Sequence, residues 1–228
     1  MKKSLFYLFC AIFSLLVIQP NIRNSLSKED IRVPTNQTSG IPTTNSTTGT
    51  NKINKQITVC VDAANETQTT TQEEKTINLE LSKLVGQSLK RSGFKVVYTR
   101  EDETRLTNEE RLMIAKEKEV DYLISITTTS DNDSLVKGYS LLTQEDNTLI
   151  DLSNHISVQL ASINYSEFQG LDSDHYENFP ILTDKNVPAV LVEIGYITNN
   201  EDLKMLENKD YQEKIASAIT AAFVETFN

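Results

Sequence analysis

The chain is short of the residues that bind transition metals. Its 228 residues include two histidines, His155 and His175, and two cysteines, Cys10 and Cys60. The count excludes a three-histidine zinc site, a four-cysteine zinc cluster and a disulfide framework. A site of two histidines and one carboxylate is arithmetically open, with no histidine to spare. Tryptophan is absent, and seven glycines in 228 residues is less than half of the usual share of about 7%. Hydrophobic residues at 38% and charged residues at 24% are ordinary globular values, which exclude a disordered, collagenous or multi-span membrane chain. The length suits one domain plus a segment that is not a domain.

The net charge is −10, unevenly placed: residues 1–56 carry seven Lys/Arg against Glu29 and Asp30, a net of +5, so the remainder carries −15. An acidic domain of this kind lacks the clustered Lys/Arg that phosphate contacts require. Nucleic acid and anionic membrane surfaces are therefore excluded as its ligands.

Lys2-Lys3 followed by the apolar run LFYLFCAIFSLLVI reads as an export signal over 1–19. Its length favours a cleavable signal peptide. No small-x-small site follows, which favours an uncleaved signal anchor, and both readings stand. Cys10 follows Phe9 where a lipoprotein signal needs a small residue, so it reads as part of the apolar run. Retention of the two lysines inside would place the rest of the chain outside the membrane. Residues 20–56, rich in Asn, Thr, Ser and Pro, read as a flexible tether.

From residue 57 to 228 the pattern changes to alternating strands and helices. QITVCVD, FKVVYT, VDYLISITT, GYSLLT, FPILT and PAVLVEIGY read as strands. TINLELSKLVGQSLKRSG, ending on Gly93, TNEERLMIAKEKE, TLIDLSNHISVQLASI, EDLKMLE and YQEKIASAITAAFVETF read as helices. Thr107 and Glu110 form a capping box on the second of these. The fold class is α/β: a mostly parallel mixed sheet with helices on both faces and chemistry at the carboxyl ends of the strands.

Those strand ends carry polar residues: Asp62-Ala63-Ala64-Asn65-Glu66, Thr127-Thr128-Thr129 and Glu193-Ile194-Gly195, with Glu73 and Glu74 before the first helix. Glu193 ends a run as apolar as AVLV, so it is expected to be partly buried, with the raised pKa that suits proton transfer. A strand-capping salt bridge is the alternative. Arg100 and Arg111 read as ion-pair partners of the acidic segment 101–110, with a substrate-carboxylate contact as the alternative. Cys60 reads as a small core residue.

The run VPAVLVEIGYITNNEDLKMLENKDYQEKIASAI resembles the C-terminal signature of the zinc-dependent N-acetylmuramoyl-L-alanine amidases of the cell-wall hydrolase type. These cut the amide joining the muramic acid lactyl group to the peptidoglycan stem peptide. The similarity extends through VVYTREDETRLTNEERLMIA at Val97, Thr99, Arg100, Leu106, Arg111 and Ala115, and over residues 57–228 as a whole. The resemblance implies an amidase/zinc-exopeptidase-like fold and a site in four parts. The family's zinc-ligand Glu, four residues before a helix-opening Asn, falls on Glu74 ahead of Asn78. Its general-base Glu, in V-E-x-G-F, falls on Glu193. Its two ligand histidines, in D-P-G-H and S-I-H, fall on Asn65 and Thr127. Neither is a histidine here, and the glycines of the first loop are missing too.

His155 falls within a helix, and His175 lies where the family approaches the substrate cleft; it reads as an exposed loop residue, with a relocated ligand as the alternative. One carboxylate, one amide and one hydroxyl hold zinc weakly, since zinc favours imidazole and thiolate. No cofactor is therefore expected, although the family uses zinc. The expected function is a catalytically degenerate amidase-like domain outside a bacterial membrane, with peptidoglycan or a cell-wall protein as partner. The alternatives are an active amidase with an altered metal site built on Glu74, His175 and Asn65, and an interaction scaffold that does not bind peptidoglycan.

Overall fold

A computed structural model describes residues 56–65 and 71–227. The proposed export segment, almost all of the tether, Cys10 and Glu66 lie outside the described residues. Six strands alternate with five helices: β1 (Thr58–Ala63), α1 (Gln72–Arg91), β2 (Lys95–Tyr98), α2 (Asn108–Glu117), β3 (Tyr122–Thr129), β4 (Tyr139–Thr143), α3 (Asn147–Ser162), β5 (Phe168–Asp172), β6 (Ala189–Tyr196), α4 (Asn200–Leu206) and α5 (Lys209–Phe227). They form one mixed sheet of order β2-β1-β3-β6-β4-β5. The first four are parallel, β4 runs antiparallel to β6, and β5 runs parallel to β4. The expected α/β class and mixed sheet are what is found.

Strand alternation divides the core in two. Val59, Val61, Ile124, Ile126, Leu141, Val190 and Val192 pack with the apolar sides of α1, α3 and α5. The intervening residues Cys60, Leu123, Leu142, Ala189 and Leu191 pack with Ala115 of α2 and with Ile181 and Leu182. Cys60 is fully buried, and burial pushes its thiol pKa well up, as a core cysteine requires.

The helix ends are set locally. Thr107 and Glu110 make the expected reciprocal cap on α2. The first helix starts four residues earlier than its apolar pattern suggests, because Thr71 and Glu74 form a second capping box. Gly93 takes a φ of +95° just beyond α1, where glycine carries no Cβ penalty.

Two sheet assignments need correction. FPILT is not a strand: Tyr176–Asn178 and Pro180–Leu182 are short 3-10 turns, since Pro180 opens the second turn and has no N–H for a ladder. The sixth strand is instead FQGLD, an edge strand whose first two residues are exposed and whose centre is Gly170 at φ +140°. A half-exposed edge strand needs no alternating apolar pattern, so its sequence signal was weak.

Gly138 opens β4 at φ +113°, and a Cβ there would stand 2.3 Å from the Glu167 carbonyl oxygen. Backbone must move to admit it. Gly138→Ala is expected to lower unfolding stability by about 1–3 kcal/mol, read as a lowered urea midpoint with an unchanged slope.

Candidate functional site

Register decides which polar side chains share a face. Asp62 pairs with Ser125, Thr127 with Glu193, and Ser140 with Glu193. All five therefore project from the α2 face of the sheet, toward the carboxyl ends of β1, β3 and β6.

The lower layer is closed. Asp62 is fully buried and accepts from Thr99 Oγ1 at 2.6 Å, Ser125 Oγ at 2.7 Å and Arg111 Nη1 at 2.5 Å. Arg111, also fully buried, donates through its other terminal nitrogen to Asn108 Oδ1. Its acidic partner is thus on the first strand, not in segment 101–110, because Arg111 sits on the inner side of α2. Arg100 keeps part of the expected partnership, since the charges of Glu103 and Asp102 act on it, but its hydrogen bonds go to backbone. It donates to the carbonyls of Ala63, Asp102 and Lys75 at 2.8, 2.9 and 3.1 Å, tying β1, the loop after β2 and α1 together. Asn78, 1% exposed, spans the diverging ends of β1 and β3: its amide donates to Ala64 O at 3.0 Å and its oxygen accepts from Thr128 N at 2.9 Å.

The upper layer holds the residues singled out from sequence. Asn65 is 1% exposed and fastens the loop after β2, donating to Thr104 O at 2.8 Å and accepting from Leu106 N at 3.5 Å. Glu74 is buried, and its Oε2 accepts from Thr71 N at 2.6 Å within the capping box. Thr127 is half-buried and donates to Thr128 O at 3.0 Å. Glu193 is half-buried and accepts from Ser140 Oγ at 2.6 Å.

The two histidines stand elsewhere. His175 follows β5, which runs opposite to β6, so the chain has moved away from the Glu193 row by the time it reaches this residue. Its side chain is 60% exposed and lies 3.0 Å from Asp172. His155 lies on α3, 2.8 Å from Thr226 of α5. Among the described residues no three His, Cys, Asp or Glu side chains stand close enough to hold a metal.

Sequence reading missed two parts of this site. Ser140 was passed over because only the antiparallel placement of β4 brings it to Glu193. Asp202 lies in the short helix EDLKMLE with no sequence signal to single it out, yet it is fully buried. It accepts from Gly138 N at 2.8 Å, Tyr196 N at 3.0 Å and Ser166 Oγ at 2.6 Å. Beside it, Tyr165 donates to Ile194 O at 2.5 Å, and burial holds its phenol protonated by raising its pKa. Together these pin the backbone that carries Glu193.

The sequence profile of the N-acetylmuramoyl-L-alanine amidases (Amidase_3) matches residues 61–225. The chain belongs to this family. It is similar to the uncharacterized protein YqiI of Bacillus subtilis (strain 168), at 35% identity over 149 residues, 64% of this chain and 70% of that one. It is also similar to the N-acetylmuramoyl-L-alanine amidase LytC of the same organism, at 29% identity over 150 residues, spanning 64% of this chain but 29% of LytC. Among solved structures it matches the catalytic domain of CwlV, the amidase from Bacillus (Paenibacillus) polymyxa var. colistinus. That match has a TM-score of 0.67 at 25% identity, covering 75% of this chain and 97% of that one.

The buried pair beneath this polar face is open to direct test. Asp62→Ala would leave Arg111 buried without that carboxylate and is expected to cost about 3–5 kcal/mol of stability, read as a fall in the denaturant midpoint.

Proposed function

We propose that this chain is a zinc-free member of the amidase family that binds peptidoglycan without cleaving it, held outside a bacterial membrane by its N-terminal segment. The observation that carries this reading is the state of Asn65 and Thr127. Both occupy positions where the family's resemblance places ligand histidines, and both spend their side chains on backbone groups of this chain.

The donor set does not fit zinc. A tetrahedral zinc site draws on imidazole, thiolate or carboxylate, and here an amide and a hydroxyl stand in for both imidazoles. Zinc would lower the pKa of a bound water from nearly 16 to roughly 7; with no ion held, Glu193 has no hydroxide to serve. The retained scaffold supports wall binding, because the strand-end face survives with Glu193 half-open on it. The acidic charge of residues 57–228 argues against wall teichoic acid or other polyphosphates as the ligand.

Under this reading the purified full-length protein contains no stoichiometric zinc, releases no stem peptide from cell walls with or without added zinc, and sediments with insoluble sacculi. Zinc-dependent release of stem peptide would overturn it, and failure to sediment would favour a protein partner. The joint substitution Asn65→His and Thr127→His is expected to restore about one zinc per chain by elemental analysis, since Glu74 keeps its place at the start of α1.

A further inference from the structure

Among the described residues, one row at the strand-end face of this chain presents lone pairs and no side-chain donors. Thr127, Glu193 and Ser140 stand in one cross-strand row on β3, β6 and β4, neighbours at about 5 Å. All three are half-open while the residues flanking them in sequence on β6 and β3 are buried. The hydroxyl hydrogen of Ser140 goes to Glu193 Oε2 at 2.6 Å, and that of Thr127 goes to Thr128 O at 3.0 Å. What remains facing outward is a carboxylate oxygen and the lone pairs of two hydroxyls.

Such a row selects its ligand by hydrogen-bond type. Sugar hydroxyls and amides bring acceptors as well as donors, and a carboxylate or phosphate brings acceptors alone. An alkylammonium brings three donors and no acceptor, with the charge opposite to that of Glu193. Charge-assisted bonds of this kind are the stronger class. The surrounding charge is acidic on balance: the loops after β2 and β3, which leave the sheet at this end, carry Glu101, Asp102, Glu103, Asp131 and Asp133 against Arg100, Arg105 and Lys137, and of these bases Arg100 is committed to backbone carbonyls and Lys137 to Glu201. Past Ser140 the row reaches Gly170 on β5, where no atom lies within 4 Å of the position a Cβ would take. The alkyl stem of such a ligand has room there.

We infer that the Thr127–Glu193–Ser140 row binds a primary ammonium group, that of a lysine-type side chain in the stem peptides of the cell wall. The choice of cell-wall peptide rests on the wall-binding function proposed above; the ammonium specificity rests on the row itself. The row thus converts a hydrolase's general-base position into a recognition element.

Two measurements on the full-length protein test this. The first titrates the ¹⁵N-labelled protein with Nα-acetyl-lysine amide and with its Nε-acetylated form. The free amine is expected to shift the amide signals of Thr127, Ser140 and Glu193, and the acetylated form to leave them in place. Glu193→Gln is expected to weaken the interaction about tenfold or more, as loss of a charge-assisted bond does, while the spectrum elsewhere stays folded. The second compares retention on untreated sacculi with retention on sacculi whose free amines have been acetylated, and expects acetylation to release the protein.

Equal response to free and acetylated lysine overturns the ammonium site. Equal retention on both kinds of sacculi overturns the cell-wall amine as its source, while leaving wall binding intact. No retention on either, with lysine binding lost in Glu193→Gln, keeps the ammonium site, refutes wall binding and assigns the site to a protein lysine.

Discussion

The buried carboxylate of Asp62 is the interaction on which the site end of the molecule depends. Three elements besides its own strand reach it: Thr99 from beyond β2, Arg111 from α2 and Ser125 from β3. A charge taken out of water is tolerable only when paired and hydrogen-bonded; here both charged partners are fully buried, and the carboxylate accepts three hydrogen bonds. The requirement sets where α2 lies and how far the first and third strands run before diverging. Asn78 then bridges the divergence, and Arg100 closes it from the other side. The polar face above is therefore carried on a rigid floor.

On the proposed reading, that floor lets an amidase scaffold persist while its ligand positions drift. Asp62, Asn78, Arg100, Arg111 and Asp202 fasten strands, helices and loops without contributing to any metal-binding set. Asn65 and Thr127 have joined the same kind of work, one holding the loop after β2 and the other closing on its own strand. On the reading proposed above, the histidine positions have become structural and the ion is lost without loss of the fold. Glu193 retains an open carboxylate because β6 needs nothing from it beyond the contact with Ser140.

Much of this was legible in the chain itself. Alternating apolar runs marked most of the strands, and the T-x-x-E boxes marked helix starts, although the one at Thr71 lies outside the apolar pattern that draws the eye. The proline in FPILT was the signal against a strand, outweighed by the apolar residues around it. FQGLD was not legible, because an edge strand with its side chains half in water carries no period-two pattern. Arg111 had acidic neighbours in sequence at every turn, so its pairing with a residue 49 positions away could be known only from the packing of α2.

Sequence by itself determined the chemical inventory: which ligand types exist at each strand end, that imidazole is at none of them, and that the domain is acidic. These follow from residue identity and need no coordinates. Tertiary structure alone decided which of those groups share a face and what each has left to offer. Thr127, Glu193 and Ser140 lie far apart along the chain, and Ser140 joins the row only because β4 runs against β6. Their hydroxyl hydrogens are committed by contacts that pleating and register create. A side chain's identity states how many donors and acceptors it owns; only its neighbours in space determine which of them remain free to meet a ligand.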